Sequence, residues 1–432
     1  MRDKMVVGID VGTSKIATII ASVKEDTPLS VIGVSVVDSK GLRKGQVVDI
    51  EDAIAAISPA LEGAERMAGA TVSKSFISVG GNHIASQNSH GVVAVADPEK
   101  EITPEDVARV IDAAKAIKLP SSRQILHVLP RGFIVDGQEG IADPVGMTGV
   151  RLEVDTHIVT GGTTAIRNLE KCVGELGVNT EGMVFNGLAA AHAILSDTEK
   201  ELGVTLIDIG GGTTDVAVFA EGALSYSAVI PIGAKNITND LAIGLRISLE
   251  SAEKIKLLLS KKPKVPALPD VQEKSHVRER GEDELDLSSL GLPEDLRKVS
   301  RKTLIEGIIK PRLNEIFTMV GLEIKKSGFG GMTPSGIVVC GGGADTVGVG
   351  EAARKMLVMP VRIGIPVNIT GLVDEILTPA FATSVGLVVY GARRLPPEVQ
   401  SKGFPHIGKL ADRLPIKGLV GKILETLKPF LP

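Results

Sequence analysis

The sequence has no tryptophan, only two tyrosines and two cysteines, and aromatic residues make up 3% of the chain. An interior without tryptophan must be packed mainly by valine, isoleucine, leucine and alanine. Cys172 and Cys340 stand alone in apolar surroundings, without the spacing of a metal or redox motif. We therefore expect both to be reduced thiols in the core of a cytosolic protein.

Strong charge and long apolar runs are also missing. The formal net charge is -4 at pH 7, which does not favour nucleic acid as a partner. No apolar run is long enough to cross a bilayer, and the one after Lys4 is too short for a secretory signal. We expect any membrane contact to be peripheral. The 432 residues allow two to four domains with real cores.

A glycine turn separates two strand-like runs in "VTLIDIGGGTTDVAVF". The glycines permit positive φ and leave the backbone N–H groups open, which together with the threonine hydroxyls makes a phosphate nest. Asp208 ends the first strand beside this nest, which suggests Mg²⁺ held through water. A plain hairpin with a solvated aspartate is the alternative. The expected binding residues are Gly210, Gly211, Gly212, Thr213, Thr214 and Asp215.

The same pattern stands near the start of the chain, in "MVVGIDVGTSKIATIIA". Its expected binding residues are Asp10, Gly12, Thr13, Ser14 and Lys15. Two such hairpins, one in each half, predict a duplicated fold that grips a nucleotide from both sides. A third turn, with Gly341, Gly342 and Gly343, follows a strand and precedes a helix, and it could let adenosine lie flat against the backbone.

These three turns, in this order, resemble the actin-like ATPase superfamily, and four longer stretches resemble its FtsA family of bacterial cell-division proteins. The stretches are "GVSVVDSKGLRKGQVVDIEDAIAAI" (33 to 57), "SVGGNHIASQNSHGVV" (78 to 93), "HVLPRGFIVDGQEGIADPVGMTGVRLEVDTHIVT" (127 to 160) and "VRIGIPVNITGLVDEILTPAFATSVGLVVYG" (361 to 391). The resemblance runs from about Lys4 to the last residues and is weakest around 261 to 300.

The resemblance implies an α/β fold of the duplicated actin-like, or ribonuclease H-like, type. Two halves surround a nucleotide cleft, with a small inserted α+β domain (1C, SHS2-like) and a C-terminal amphipathic helix. The implied divisions are 1–71, 161–199 and 366–394 for domain 1A, 72–160 for 1C, 200–236 and 305–365 for 2A, 237–304 for 2B, 395–406 for a linker and 407–432 for the terminal helix.

Local patterns predict the elements of the inserted domain. We expect a strand near 75 to 80, a helix that begins after Thr103 and continues to Ile117, and strands near 125 to 136 and 151 to 160. Beyond the insert, Thr163 and Thr164 could cap the next helix.

The resemblance also assigns roles to three further side chains. Asn186, at the start of an alanine-rich helix, would position an attacking water, and Glu253 with Lys256 would hold ribose and adenine. Asn186 is a weak catalytic candidate beside Asp208, because an amide cannot accept a proton, so we expect slow hydrolysis. The alternatives are that Asn186 only caps its helix and that Glu253 and Lys256 form a surface ion pair.

The implied function is that of an ATP-binding protein with at most weak ATPase activity, which uses Mg²⁺ held through water by Asp10 and Asp208. It would polymerise with itself on the cytoplasmic face of the membrane at the division septum and tether FtsZ filaments there. The surface of 237 to 304 would contact FtsZ, and 1C would contact later division proteins. A small-molecule kinase or a pilus-assembly relative of the same superfamily is the alternative.

The C-terminal stretch "IKGLVGKILETLKPFLP" has helical periodicity after a Pro-rich linker. Lysines lie on its other face, which favours an anionic membrane surface, although packing on the protein body is the alternative. Two glycines disfavour the helix by about 1 kcal/mol each, so we expect it to form on lipid. The apolar stripe consists of Ile416, Leu419, Val420, Ile423, Leu424, Leu427, Phe430 and Leu431.

Overall fold

The computed structural model describes residues 4–24, 27–95, 101–260, 283–294 and 296–394. The predicted linker and terminal helix, and the segment 261–282 of the predicted 2B domain, lie outside the described residues. None of the described helices is long and apolar enough to cross a membrane.

The first half begins with strands that are apolar enough to be buried on both faces. Its elements are β1 (Lys4–Val11), β2 (Lys15–Val23), β3 (Leu29–Asp38), β4 (Leu42–Arg43), β5 (Gln46–Val47), α1 (Ile50–Ala68) and β6 (Lys74–Val79). Helix α1 is capped by the Asp49 side chain and ends at Gly69 in the left-handed conformation, a position that glycine occupies without strain.

An inserted domain, which we call the insert, follows β6. It consists of β7 (Ala85–Ala94), α2 (Pro104–Ala114), β8 (Arg123–Val135), β9 (Gln138–Ile141) and β10 (Arg151–Gly162). The strands form an antiparallel sheet in the order β7-β10-β8-β9. Phe133, Leu152 and Val154 of this sheet pack with Val110 and Ala114 of α2 in a core of their own.

Several local expectations for this region need correction. The strand near 75 to 80 was expected within the inserted domain, but β6 lies in the first main sheet between β1 and β11. Helix α2 has the predicted Thr103 cap but ends at Ala114, because the chain then turns toward Pro120 and β8. Strands β7 and β9 were not predicted. The following helix has Gly162 at its N-cap without any side-chain cap bond, so Thr163 and Thr164 are not the caps.

After the insert, the chain first completes elements of the first half and then forms the second half. The returning elements are α3 (Thr163–Gly174), β11 (Asn179–Phe185), α4 (Asn186–Ile194) and α5 (Asp197–Leu202). The second half comprises β12 (Val204–Ile209), β13 (Thr214–Ala220), β14 (Ala223–Ile230), α6 (Ala234–Leu245), α7 (Leu249–Ser260), β15 (Glu284–Asp286), β16 (Lys298–Ser300), α8 (Arg301–Leu304), α9 (Lys310–Ser327), β17 (Ile337–Cys340), α10 (Val349–Leu357) and β18 (Val361–Ile363). Short 3-10 turns at Ser288–Leu290 and Gly342–Asp345 and a π turn at Ile305–Ile309 interrupt it.

The last described elements belong again to the first half. They are β19 (Ile369–Gly371), a 3-10 turn at Pro379–Phe381 and α11 (Ala382–Ala392). Strand β19 pairs with β3 in parallel at the edge of the first sheet. Helix α11 packs on α4 and β1, and most of its residues are buried.

The two main sheets share one topology, which confirms the predicted duplication. The first contains β3-β2-β1-β6-β11 and the second β14-β13-β12-β17-β18. In each, three antiparallel strands are followed by two that join in parallel. The fold is therefore the predicted duplicated α/β fold with a small inserted domain.

Candidate functional site

A cavity of about 320 Å³ lies between the two main sheets, a size typical of small-molecule sites. All three glycine turns reach it, so the structure brings together segments that are more than 300 residues apart. Two predicted residues, Gly212 and Thr214, do not line it. The predicted residues that do are Asp10, Gly12, Thr13, Ser14, Lys15, Asn186, Asp208, Gly210, Gly211, Thr213, Asp215, Glu253, Lys256, Gly341, Gly342 and Gly343.

The β1–β2 turn and the β12–β13 turn face each other across the cavity. A Cβ added to Gly211 would lie 2.0 Å from Ser14 Oγ and 3.0 Å from Ser14 Cβ, so a larger residue there would have to displace the serine side chain. Lys235 Nζ donates to the carbonyl oxygen of Thr13 at 2.8 Å and joins the two turns. Thr214 stabilises the turn, because its hydroxyl donates to the carbonyl oxygen of Ile232.

The two strand-end aspartates are held by hydroxyl groups. Asp10 accepts from Ser78 Oγ at 2.7 Å and from Ser384 Oγ at 2.8 Å. Asp208 accepts from Thr383 Oγ1 at 2.7 Å. Because Thr383 and Ser384 are neighbours at the start of α11, one helix orients an aspartate from each half. These donors were not predicted as site residues, although "TPAFATS" falls within a stretch that carries the family resemblance.

Negative charge accumulates at this end of the cavity. The pKa of Asp208 is raised to about 6, mainly by burial and also by the charge of the nearby Asp10, while Thr383 and Lys15 oppose the shift. Burial raises the pKa of Asp215 well above its usual value, and the charge of Asp208 adds to this. A cation bound between these carboxylates would stabilise their charged forms.

Lys15 provides a buried positive charge beside the aspartates. Its ammonium lies 3.3 Å from the centre of the Phe381 ring and has no hydrogen-bond partner among the described residues. Burial lowers the pKa of Lys15 to about 8, although Asp10 and Asp208 attract the charge. A buried donor without a partner carries a free-energy cost that an anionic ligand would remove.

Asn186 is the first residue of α4, whose N-cap is Phe185 and has no side-chain cap bond. The alternative that Asn186 only caps this helix is therefore wrong. Its side chain hydrogen-bonds Asp215 and so favours the charged form of that carboxyl group. One oxygen of each, Asn186 Oδ1 and Asp215 Oδ1, is buried without a partner among the described residues. Two such acceptors suit a water molecule or another donor.

Glu253 and Lys256 lie one turn apart on α7, with Lys256 Nζ 2.7 Å from Glu253 Oε2. The lysine side chain is only 8% exposed and also donates to Thr238 Oγ1 at 2.9 Å. Lys256 is therefore more than a surface ion-pair partner, although Glu253 is 41% exposed. The pair lines the cavity beside Leu257, where its role toward a ligand stays a prediction.

The third turn shapes the cavity beside Asp208. Gly341 has φ +83°, and a Cβ there would lie 2.2 Å from Asp208 Oδ1. A Cβ on Gly343 would lie 2.3 Å from Ile209 Cγ2. Gly342, between them, has no neighbouring atom within 4 Å of its Cβ position. The turn therefore packs tightly on β12 and leaves open space at Gly342.

These features fit a nucleoside polyphosphate with a divalent cation. The turns offer backbone N–H groups and hydroxyls, and Lys15 offers an unsatisfied cation for phosphate oxygens. Among the described residues, no group of three or more His, Cys, Asp or Glu side chains could hold a metal alone. The two hydroxyl-held aspartates instead suit a hydrated Mg²⁺, which keeps several waters and takes its remaining contacts from phosphate.

Comparison with protein-family models gives two matches. Residues 81–160 match the model described as "SHS2 domain inserted in FTSA". Residues 205–386 match the model described as "Cell division protein FtsA".

Curated proteins of the same description match over most of the chain. The Pseudomonas aeruginosa protein "Cell division protein FtsA" is 41% identical over 391 residues, which cover 90% of each chain. The Bacillus subtilis protein of that description is 38% identical and covers 93% of this chain and 87% of its own. The Escherichia coli protein is 36% identical, with 90% of each covered.

Solved structures share the fold at low sequence identity. A chain of the "PilM-PilN type IV pilus biogenesis complex" superposes with a TM-score of 0.62 at 14% identity, over 90% of this chain and 98% of that one. The ethanolamine utilization protein EutJ from Carboxydothermus hydrogenoformans gives 0.51 at 17% identity, over 90% and 91%.

Proposed function

Because this chain belongs to the FtsA family of cell-division proteins, we propose that it binds ATP with Mg²⁺ in the cavity between its halves and uses the nucleotide as a switch for assembly. The observation that carries this proposal is the unpaired Lys15 ammonium, which lies between two facing phosphate-type turns and beside Asp10 and Asp208. The ammonium has no hydrogen-bond partner among the described residues, and together with the two aspartates it is complementary to phosphate and metal.

Different groups of the chain bind the phosphates, the metal and the nucleoside. The N–H groups of the two turns and the Lys15 ammonium hold phosphate oxygens, while Asp10 and Asp208 orient the waters of the metal. Lys256 and Glu253, with the open space at Gly342, receive the nucleoside. Bound Mg²⁺ would neutralise phosphate charge and the carboxylate repulsion between the halves.

Calorimetric titration with ATP, with and without Mg²⁺, tests this assignment. Asp208→Ala should weaken Mg²⁺-dependent binding, because the metal's waters lose an anion that orients them. Asp112→Ala, at an exposed position of the insert, is the matched control and should bind as the wild type does. Unchanged Mg·ATP affinity of Asp208→Ala would count against the assignment, and so would absence of ATP binding by the wild type.

Hydrolysis should be slow. Asn186 and Asp215 offer two free oxygens that could hold an attacking water, but the amide cannot take its proton, and burial favours the neutral form of Asp215, which cannot take it either. We expect turnover far below the enzyme median of about 10 s⁻¹, so that nucleotide state persists long enough to control assembly. Rapid multiple turnovers without a partner would contradict this, and efficient phosphorylation of a sugar would favour a kinase.

Assembly is the proposed output of the switch. The protein forms head-to-tail homopolymers, since repetition of one heterologous contact gives an open filament. The surface of residues 237 to 304 recruits FtsZ, and the insert recruits later division proteins. Family membership supports these partners. Electron microscopy at high protein concentration with ATP and lipid tests the polymer, and monomers alone would contradict it.

Membrane attachment through the tail completes the proposal and places the protein on the cytoplasmic face of the membrane at the septum. Its support is the sequence stripe that contains Leu424, opposite several lysines. Burial of one large apolar side chain is worth roughly 1.5 to 3 kcal/mol, and each lysine near an anionic surface about 1 kcal/mol. The free-energy cost of ordering the helix offsets part of this gain, so one tail binds the membrane weakly and a polymer of linked tails binds it tightly.

A further inference from the structure

The insert belongs to the first half by chain connectivity but also contacts the second half. Strand β14 forms the edge of the second sheet, and its side chains alternate between two sides. The hydroxyl of Tyr226 hydrogen-bonds Glu323 of α9. The neighbouring Ser225 and Ser227 are buried and face the insert. We call the set of insert residues Ser86, Asn88, Arg131 and His157, with Ser225 and Ser227, the β14 contact.

His157 lies at the centre of the β14 contact, with 1% of its surface exposed. The Asn88 amide donates to the carbonyl oxygen of Ser225, which turns the amide oxygen toward His157. His157 Nδ1 therefore donates to Asn88 Oδ1 at 2.7 Å, and Nε2 accepts from Ser227 Oγ at 2.9 Å. Burial lowers the pKa of His157 to about 3, which agrees with this neutral form.

Two further polar interactions surround the histidine. Ser86 Oγ donates to the carbonyl oxygen of Ser227 at 2.6 Å. Arg131 Nε donates to Ser225 Oγ at 3.0 Å, and its guanidinium lies 5.1 Å from the centre of the Phe329 ring. The described apolar core of the second half and that of the insert share no residue. The β14 contact is thus a hydrogen-bonded junction between separately packed bodies.

Strand β14 is also tied directly to the phosphate turn of the second half. Its neighbour β13 begins at this turn, and Thr214 at its start donates to the carbonyl oxygen of Ile232, just beyond β14. The N–H groups of Ala234 and Lys235 then donate to the carbonyl oxygens of Gly210 and Gly211 at 2.9 Å. These bonds connect the phosphate turn to the segment that directly follows β14.

The insert reaches the opposite wall of the cavity too. His127 of β8 accepts from the backbone N–H of Phe185 at 3.0 Å, and Phe185 immediately precedes Asn186. The insert is consequently hydrogen-bonded beside both walls. In this structure the two phosphate-type turns approach each other closely, with Gly211 against Ser14, and the β14 contact is formed at the same time.

We propose that the β14 contact couples nucleotide occupancy of the cavity to the position of the insert, so that the surface offered to other proteins by the insert depends on the bound nucleotide. This coupling rests on the proposed ATP site. Coupling between two sites is reciprocal. If closure of the cavity favours the β14 contact, the β14 contact must favour ATP binding to the same extent.

The test measures Mg·ATP binding by calorimetry in the full chain. Ser227→Ala removes one hydroxyl, and His157→Ala removes the central ring. Coupling energies of this kind correspond to about 5- to 150-fold in affinity, so we expect at least about fivefold weaker binding for His157→Ala and a smaller loss for Ser227→Ala. His90→Ala is the matched control, because within the described part of the chain His90 bonds to Glu153 and Asp155 of the insert. The affinity of this variant should equal that of the wild type.

A second readout separates coupling from partial unfolding. Mg·ATP should increase the hydrogen-exchange protection of residues 85–94 and 151–162 in the wild type and in His90→Ala, and much less in His157→Ala and Ser227→Ala. A misfolded fraction that does not refold would lower the binding stoichiometry without changing the affinity, whereas reversible unfolding would lower the apparent affinity and also the protection measured without nucleotide. If the variants bind ATP with wild-type affinity and show the wild-type increase in protection, the coupling is overturned and the proposed function is not. Absence of ATP binding by the wild type overturns the proposed function and, with it, the coupling.

Discussion

Replacement of Lys15 by methionine should stabilise the ligand-free protein and at the same time weaken ATP binding. Burial lowers the pKa of Lys15 from 10.5 to about 8. At 1.36 kcal/mol per pH unit, the fold disfavours the charged form by about 3 kcal/mol relative to the unfolded chain. The attraction of Asp10, Asp208 and Asp345 is smaller than the effect of burial and is already contained in this pKa.

Methionine keeps an unbranched stem and removes the charge. The substitution also removes the contact with the Phe381 ring, which is worth about 2 kcal/mol when desolvated. The expected gain in the free energy of unfolding near neutral pH is therefore about 1 to 3 kcal/mol. ATP binding should weaken about 10- to 100-fold, because a hydrogen bond from a charged donor is worth about 1.5 to 3 kcal/mol.

The pH dependence has a defined sign. Since the pKa of Lys15 is lower in the folded protein than in the unfolded chain, the penalty is fully present below pH 8 and disappears as the pH rises from about 8 to 10.5. Denaturant unfolding of wild type and Lys15→Met should thus give curves that differ near neutral pH and converge near pH 10.5. Lys74→Met, at an exposed position of β6, is the control.

One combination of results would refute this reasoning. If Lys15→Met unfolds more easily than the wild type near neutral pH while its ATP affinity is unchanged, Lys15 supports the fold and does not bind phosphate. A gap in stability that stays constant up to pH 10.5 would show that the lysine charge is not the source of the cost.

Three other substitutions give further tests. Gly211→Ala places a Cβ 2.0 Å from Ser14 Oγ and should weaken ATP binding about tenfold, since overpacking costs about 1 to 3 kcal/mol. The double variant with Ser14→Gly should lose less binding free energy than the two single variants combined. Wild-type affinity of Gly211→Ala in calorimetry would contradict the close approach of the two turns. The hydrogen bond from His90 to Asp155 raises the pKa of His90 above 6.5. The stabilisation of the fold by protonated His90 is therefore complete below pH 6.5 and is lost as the pH rises through the pKa of His90 in the folded protein. Hydrogen exchange of β7 should show this pH dependence in the wild type and not in His90→Gln. Leu424→Glu puts a charge in the centre of the tail stripe and should abolish co-pelleting with acidic vesicles while ATP binding persists; equal pelleting of variant and wild type would show that the tail is not the anchor.

The glycine turns and their strands could be predicted because their signals are local. "IDVGTSK" and "IDIGGGTTD" each carry the strand end, the turn and the polar groups within a few residues. The sheet pairing then aligns Asp208 with Asp215 and β12 with β17, as a duplicated fold requires. The resemblance supplied the identity of the inserted domain and the role of Asn186 at the start of its helix, neither of which periodicity alone identifies.

The groups that orient the aspartates could not be predicted in the same way. Ser384 contacts Asp10 across 374 positions of the sequence, and Thr383 contacts Asp208 across 175, so no local pattern connects them. Strand β7 was missed because "ASQNSHGVVA" has few apolar residues, and its polar side chains serve the β14 contact. Gly212 and Thr214 belong to the correct turn, but close packing against Thr13 and a bond to Ile232 keep them out of the cavity lining.

Sedimentation with acidic vesicles, with and without ATP, tests most directly the proposal that nucleotide controls assembly on a membrane. The intact chain should pellet with vesicles strongly in the presence of ATP and Mg²⁺ and weakly in their absence. A chain that ends at Leu395 should stay in the supernatant under both conditions while binding ATP with unchanged affinity in calorimetry. Equal pelleting of the intact chain with and without ATP, or equal pelleting of the two chains, would contradict the proposal.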